Sequence, residues 1–236
     1  MGSGRQQKGE RIMNSIHKFR YTLKIACIGI FYLLAFYLLE SREGSIHVIQ
    51  CGIDTVIPFC EYFIVPYLLW FLYVAVTGIY FLYWNDSEKE FKDFFYTLLA
   101  GMIVFLLISY IYPNGQVLRP HITGDNIFKK LVLFIYQTDT PTNILPSLHV
   151  FYSVACGLAW TKSERWKDHK GFLAMIWLLT ISIVLSTMFL KQHSFIDVAM
   201  ALIMNGICYQ TFYGRAWSEI KEGFRQKKKK IEDIKL

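Results

Sequence analysis

Apolar residues fall in six blocks along this chain, and polar connections separate them. A bilayer core about 30 Å thick needs about 20 apolar residues per helix, which is close to the length of most blocks. The fourth block is short and polar residues interrupt the sixth, as expected where helix ends line a cavity. The pattern predicts an all-α polytopic membrane protein with six transmembrane helices. The blocks are 21–39, 59–84, 93–112, 147–160, 172–190 and 195–213.

The composition agrees with this interpretation. Of the 236 residues, 54% are hydrophobic and 17% aromatic, and the mean hydropathy is +0.32. Ordinary soluble domains are less apolar than this chain. A soluble all-α core is therefore the less favoured alternative. We expect an N-terminal segment (1–20), a membrane domain (21–213) and a basic tail (214–236). The opening "MGSGRQQKGERIM" partly resembles an artificial leader before a native Met13, and it has no apolar stretch of its own to act as a signal peptide.

Basic residues alternate between the two sides of the predicted helices. The segments 1–20, 85–92, 161–171 and 214–236 hold 19 of the 25 Lys and Arg residues. By the positive-inside rule, both termini are cytoplasmic and the intervening loops face outward. The tail "RQKKKK" then contacts anionic lipid headgroups, so we expect bilayer lipids and no nucleic acid as its partner. The expected location is the plasma membrane.

Polar and ionisable residues converge on the predicted outer face from three separate parts of the sequence. Ionisable residues within membrane segments mark functional sites. His193 and Asp197 stand at i and i+4, so the carboxylate can hold one ring nitrogen while the other acts as a base or nucleophile. The converging residues are Arg119, Ser147, His149, Lys191, His193 and Asp197.

The same set suits a phosphate group. His149 can donate a proton to a leaving oxygen, while Arg119 and Lys191 can bind phosphate oxygens. Free backbone N–H groups of Ser147, Leu148 and His149 would add an anion site at a helix start. These features predict phosphoryl transfer through a phosphohistidine, with the active site at the outer membrane face.

Three segments resemble the signature motifs of the type 2 phosphatidic acid phosphatase superfamily, K-x6-RP, PSGH and SR-x5-H-x3-D. They are "LRP" (118–120), "PSLH" (146–149) and "STMFLKQHSFID" (186–197). The resemblance implies a six-helix enzyme without metal or cofactor that acts on a lipid phosphate. It makes His193 the nucleophile, Asp197 its orienter and His149 the general acid. It assigns the phosphate to Arg119, Ser147, Leu148 and Lys191, with supporting roles for Asn143, Ser186 and Thr187.

Three positions depart from those motifs. Tyr112 stands where the first motif has Lys, Leu148 where PSGH has Gly, and Thr187 where the third motif has Arg. The departures are similar to the branch with inositol-phosphoceramide and sphingomyelin synthases and bacterial relatives, as is "IPFCEYFIVPY" (57–67). The expected activity is hydrolysis of a lipid phosphate such as phosphatidic acid or a polyprenyl phosphate. The alternative is transfer of a phospho-headgroup to an alcohol.

Two other functions use the same residues. His149, His193 and Asp197 have the donor types of a zinc site. A transporter would need polar residues continuing through the helices, and segments such as "FLAMIWLLTISIVL" (172–185) offer only Ser and Thr. The five cysteines have no paired spacing, which argues against a disulfide framework.

Overall fold

The computed structural model describes residues 3–42 and 44–214, and within them the chain is mostly helical. The helices are α1 (Ser3–Glu40), α2 (Gly52–Val56), α3 (Ile64–Ile79), α4 (Glu88–Ile111), α5 (Ile127–Thr138), α6 (Leu148–Lys162), α7 (Lys170–Phe189) and α8 (Phe195–Cys208). A 3₁₀ turn (Glu61–Phe63) precedes α3, and π-helical turns extend α3 (Tyr80–Trp84) and α8 (Tyr209–Tyr213). The short strands β1 (His47–Val48) and β2 (Asn114–Gly115) pair in parallel. The predicted basic tail lies outside the described residues, apart from Gly214.

Five helical segments of the described residues are long and apolar enough to cross a membrane, which fits an integral membrane protein. The fourth predicted block (147–160) forms α6, which has 15 residues. At 1.5 Å per residue it is about 22 Å long, shorter than the hydrocarbon core of a bilayer. The five segments are Lys18–Glu40, Glu61–Trp84, Glu88–Ile111, Lys170–Phe189 and Phe195–Tyr213.

Consecutive long helices run in opposite directions. The start of α3 meets the end of α7 where the Cys60 N–H donates to the Phe189 carbonyl. The start of α6 meets the start of α8 at the same end, where the Ser147 N–H donates to the Asp197 carbonyl. We call this the loop end, because α2, α5 and the strand pair all belong to the connections there. At the opposite end, the Glu164 N–H donates to Glu90.

Helix α6 is the centre of the bundle and packs against α3, α4, α7 and α8. Its residues Val150, Phe151 and Cys156 are fully buried. The Trp160 indole N–H donates to the Thr77 hydroxyl at 3.0 Å, which ties α6 to α3. The Asn205 side chain donates to the Phe151 carbonyl from α8. The short helix is therefore held by its neighbours along its whole length.

The segment 113–146, which the sequence predicts as a long loop, contains helix α5. Asn126 caps this helix by accepting the Lys129 N–H. One face of α5 buries Val132 and Ile135 in a cluster with Ile64 and Tyr67 of α3. Burial of this apolar face explains why the segment is ordered, and it places the chain that follows α5 beside the start of α6.

Gly101 provides a test of the packing between α4 and α6. A side chain at this position would collide with the ring of Phe151, which is fully buried and has no space to move into. We expect Gly101→Val to destabilise the bundle by about 1–3 kcal/mol, the usual cost of overpacking. The melting temperature in detergent measures this. Gly206→Val is the matched control, because a side chain there meets nothing within 4 Å; equal melting temperatures for both variants would contradict the packing described.

Candidate active site

The turn between α7 and α8 carries His193 and is closed by backbone hydrogen bonds. The N–H groups of Gln192 and His193 both donate to the Thr187 carbonyl, at 2.9 and 3.0 Å. Lys191 takes a positive φ of 54°, which reverses the chain direction between the two helices. The turn presents Gln192 and His193 on its inner side.

His193 and Asp197 form a direct pair at this turn. Nδ1 of His193 lies 2.8 Å from Oδ2 of Asp197, and the same oxygen accepts the Ser194 N–H at 3.0 Å. Asp197 is fully buried and His193 is 8% exposed. A ring that donates from Nδ1 has its lone pair on Nε2, so the pairing leaves Nε2 as the basic and nucleophilic atom.

His149 lies in the first turn of α6, opposite His193. The two ring centroids are 5.7 Å apart. The His149 ring stacks on Tyr67 at 4.7 Å and lies against Trp70 at 4.3 Å, both from α3. These aromatic contacts fix the ring in an apolar wall. The two imidazoles are therefore held within contact distance of one small group placed between them.

A pocket of about 70 Å³ opens between the two histidines at the loop end. Since a water molecule takes about 30 Å³, the pocket fits a compact polar group. It lies between the end of α1, the chain before α6 and the α7–α8 turn. Its lining residues are Tyr32, Phe36, Phe105, Asp139, Thr140, Thr142, Asn143, Ile144, Leu148, His149, Gln192 and His193.

Arg119 lies behind Gln192 and is not among the residues that line the pocket. Its guanidinium donates to the carbonyls of Tyr136 and Asp139 and to Oε1 of Gln192, the last at 2.5 Å. Because Oε1 of Gln192 faces Arg119, the amide Nε2 is turned away from it. This Nε2 is buried and has no hydrogen-bond partner among the described residues. The direct donor beside the histidines is thus Gln192, which sequence reasoning missed.

Lys191 also points away from the pocket. Its ammonium donates to the carbonyls of Asp54 and Ile57, at 2.6 and 2.5 Å. Lys191 therefore binds the first loop, whereas the sequence predicts that it binds phosphate. Burial lowers the pKa of Lys191, and the charge of Asp54 opposes that shift.

Asp54 of α2 binds the start of α8 from the other side. Its carboxylate accepts the Ser194 hydroxyl at 2.7 Å, the Phe195 N–H at 2.8 Å and the Cys51 N–H at 2.7 Å. Burial alone would raise the pKa of Asp54, but these hydrogen bonds together lower it below its ordinary value. The carboxylate stays ionised and fixes the helix that carries Asp197.

Glu40, at the end of α1, binds the chain that precedes α6. Its carboxylate accepts hydrogen bonds from the side chains of Thr140, Thr142 and Asn143. Asn143 takes a positive φ of 51°, which an Asn tolerates better than most residues. The nearby Asp139 carboxyl has its pKa raised by burial, against the lowering effect of the His193 and Arg119 charges.

The predicted residues divide into three groups by their position. His149, His193, Leu148 and Asn143 line the pocket. Asp197, Arg119 and Lys191 support residues around it, as described above. The remaining three lie in the helices: the Ser147 hydroxyl caps α6 at the Val150 N–H, and the hydroxyls of Ser186 and Thr187 donate to carbonyls of α7. The Ser147 N–H, predicted to be free for an anion, donates to the Asp197 carbonyl.

Among the described residues, no group of three or more His, Cys, Asp or Glu side chains is arranged to hold a metal ion. Comparisons with protein-family models, with curated proteins and with solved structures found no match. The functional interpretation therefore rests on the residues of this site and on the motif resemblance.

Asp54 offers a test of how the α8 start is held. We expect Asp54→Asn to lower the free energy of unfolding by about 1–3 kcal/mol. The NH2 group of the new amide is a donor, and it would face groups that are themselves donors. The exposed Asp125→Asn serves as the matched control. The pH dependence has a definite sign. A carboxylate whose pKa is lowered on folding stabilises the folded state at pH values above 3.8, its ordinary pKa. That stabilisation is lost as the pH falls through the folded-state pKa.

The melting temperatures of the wild type and of Asp54→Asn should therefore differ at neutral pH and converge in strong acid. A difference that stays constant below pH 3.8, or is absent at neutral pH, would contradict this role of the carboxylate.

Proposed function

We propose that this protein is a lipid phosphate phosphatase of the membrane that works through a phosphohistidine on His193. The observation that carries the proposal is the placement of a carboxylate-bound His193 and an opposed His149 on one small pocket, lined by both polar and apolar residues, at the end of an apolar helical bundle. The motif resemblance supports the same chemistry. The substrate is a lipid phosphomonoester or diphosphate.

In the first step, the Nε2 lone pair of His193 attacks phosphorus and the bond from phosphorus to the lipid oxygen breaks. A protonated His149 transfers its proton to the departing oxygen, which leaves as the lipid alcohol from a phosphomonoester and as the lipid monophosphate from a diphosphate. The negative charge of the bound phosphate favours the protonated form of His149. Asp197 stabilises the positive ring of His193 as the new bond forms.

In the second step, His149 takes a proton from water, and the resulting hydroxide attacks the phosphohistidine. The bond from Nε2 to phosphorus breaks, inorganic phosphate leaves, and both rings return to their starting states. Donors for the phosphate oxygens come from Nε2 of Gln192 and from the first turn of α6. Arg119 acts on this step through Gln192.

The proposed topology has six transmembrane helices, with α6 as the short one enclosed by the others. Both termini are cytoplasmic and the loop end faces outward, because the basic residues concentrate in the opposite connections. The pocket then opens at the outer membrane face, where a lipid headgroup lies.

Substitution of the two histidines tests the mechanism. We expect His193→Ala to abolish hydrolysis of phosphatidic acid or a polyprenyl phosphate and to abolish phosphoenzyme labelling. His149→Ala should lower turnover by about 10²–10⁴, the usual contribution of a general acid. His121→Ala, at an exposed loop residue, is the matched control and should retain turnover. Radiolabelled phosphate bound in an acid-labile, base-stable form measures the intermediate.

EDTA should leave the turnover unchanged. Full turnover in His193→Ala, or loss of turnover in EDTA with recovery on adding zinc, would overturn the proposed mechanism. Addition of alcohol acceptors separates hydrolysis from transfer: a phosphorylated or headgroup-bearing alcohol as the main product would assign the protein to the transferase alternative.

A further inference from the structure

We propose that the hydrocarbon chain of the substrate lies inside the protein, in an apolar cavity between α1, α3 and α4. We call this space the chain cavity. The inference rests on the proposed function, since it names where the lipid part of the same substrate binds. It predicts a substrate class, phosphates that carry at least one long hydrocarbon chain.

The chain cavity has a volume of about 440 Å³, within the range of about 300–1,000 Å³ typical of ligand pockets. Its walls are almost entirely apolar. Gly29 lies on the α1 side, Val74 and Gly78 on the α3 side, and Leu98 and Met102 on the α4 side. Such walls suit a hydrocarbon chain, and the surrounding bilayer supplies molecules that carry one.

The chain cavity and the histidine pocket adjoin each other at Tyr32. This residue lines both spaces, and Phe36, one turn further along α1, lines the pocket. Tyr152, one turn after His149 on α6, lines the chain cavity from the other side. The stretch of α1 from Ile25 to Phe36 is about 16 Å long. A lipid with its phosphate at the histidines can therefore place its chain along this length of α1.

The way α1 is attached explains why a cavity is present. At one end, the Lys18 ammonium donates to the Tyr83 carbonyl at 2.8 Å. At the other end, the Arg42 guanidinium donates to the carbonyls of Ser109 and Tyr110. Glu40 adds its hydrogen bonds to the chain before α6. Both ends are held by polar contacts, while Gly29, in the middle of the helix, lines the cavity.

A second apolar space, of about 410 Å³, lies between α4 and α8 and is lined by Val104, Met204 and Ile207 among others. It shares no lining residue with the histidine pocket. Volume and apolar walls alone therefore do not distinguish a substrate site from a groove filled by bilayer lipid. The shared lining residue, Tyr32, is what favours the cavity at α1 as the site of the chain.

Two glycines allow the chain cavity to be filled without a clash. A side chain added at Gly29 or at Gly78 meets nothing within 4 Å. Gly78→Leu and Gly29→Leu therefore place new methyl groups in the space proposed for the chain. Gly206→Leu is the matched control, because Gly206 is exposed on α8 and its added side chain also meets nothing within 4 Å.

The experiment compares two substrates in detergent. One is a phosphate with a long chain, such as hexadecyl phosphate, and the other is the water-soluble p-nitrophenyl phosphate. We expect Gly78→Leu and Gly29→Leu to lower kcat/KM for the long-chain substrate at least tenfold, chiefly through KM. Both variants should keep turnover of the soluble substrate within about twofold of the wild type, which also shows that they fold. Gly206→Leu should change neither.

Other outcomes separate the two proposals. If both cavity variants hydrolyse the long-chain substrate as Gly206→Leu does, the chain cavity is not the binding site, while the phosphatase function stands. If they lose both substrates equally but keep the wild-type melting temperature, the glycines act on the histidine pocket and the chain assignment is wrong. If the wild type hydrolyses neither substrate and forms no phosphohistidine, the proposed function fails and this inference fails with it.

Discussion

Asp197 joins the two parts of the chain that carry the histidines, the α7–α8 turn with His193 and the start of α6 with His149. Its side chain binds Nδ1 of His193, and its backbone carbonyl accepts the N–H of Ser147, two residues before His149. The residue is fully buried, so both hydrogen bonds are shielded from water. A shift of Asp197 would move one ring and the start of the other helix together. The geometry between the histidines therefore depends on this single residue more than on any contact between the rings.

Around this frame, buried charges bind the loops. Asp54 binds two donors at the start of α8 and one at the start of its own helix. Lys191 binds two carbonyls of the first loop, and Arg119 binds two carbonyls and Gln192. Buried charges are stable only when they are paired or hydrogen-bonded. Backbone carbonyls that no helix or strand uses provide that bonding here. The cations consequently stabilise the loops around the pocket and do not line it. The polar side chains that line it are the two histidines, Gln192, Asp139, Thr140, Thr142, Asn143 and Tyr32.

The sequence predicts the parts of this structure that depend on local patterns. The apolar blocks match the five candidate spans and α6, and the i, i+4 spacing predicts the His193–Asp197 contact because both residues lie on one turn. Helix α5 is missed, since its apolar face is short and Pro, Gly and Asp surround it. The bonds of Asp54 to Ser194 and of Lys191 to Ile57 join residues more than 130 positions apart. A sequence does not show which backbone carbonyls are available to accept a hydrogen bond. It therefore does not predict that Arg119 and Lys191 bind loop carbonyls.

The short length of α6 connects the site to the bilayer. Because α6 is about 8 Å shorter than a hydrocarbon core, its first turn, with His149, can lie below the level at which the long helices end. While a lipid phosphate is bound at that depth, its hydrocarbon chain would remain in apolar surroundings. This requires an apolar space beside the histidines. The gap between α1 and the bundle is an apolar space beside the pocket, and Tyr32 lines both. The small pocket and the larger apolar cavity have the sizes of the two parts of the proposed substrate, a compact headgroup and a long chain.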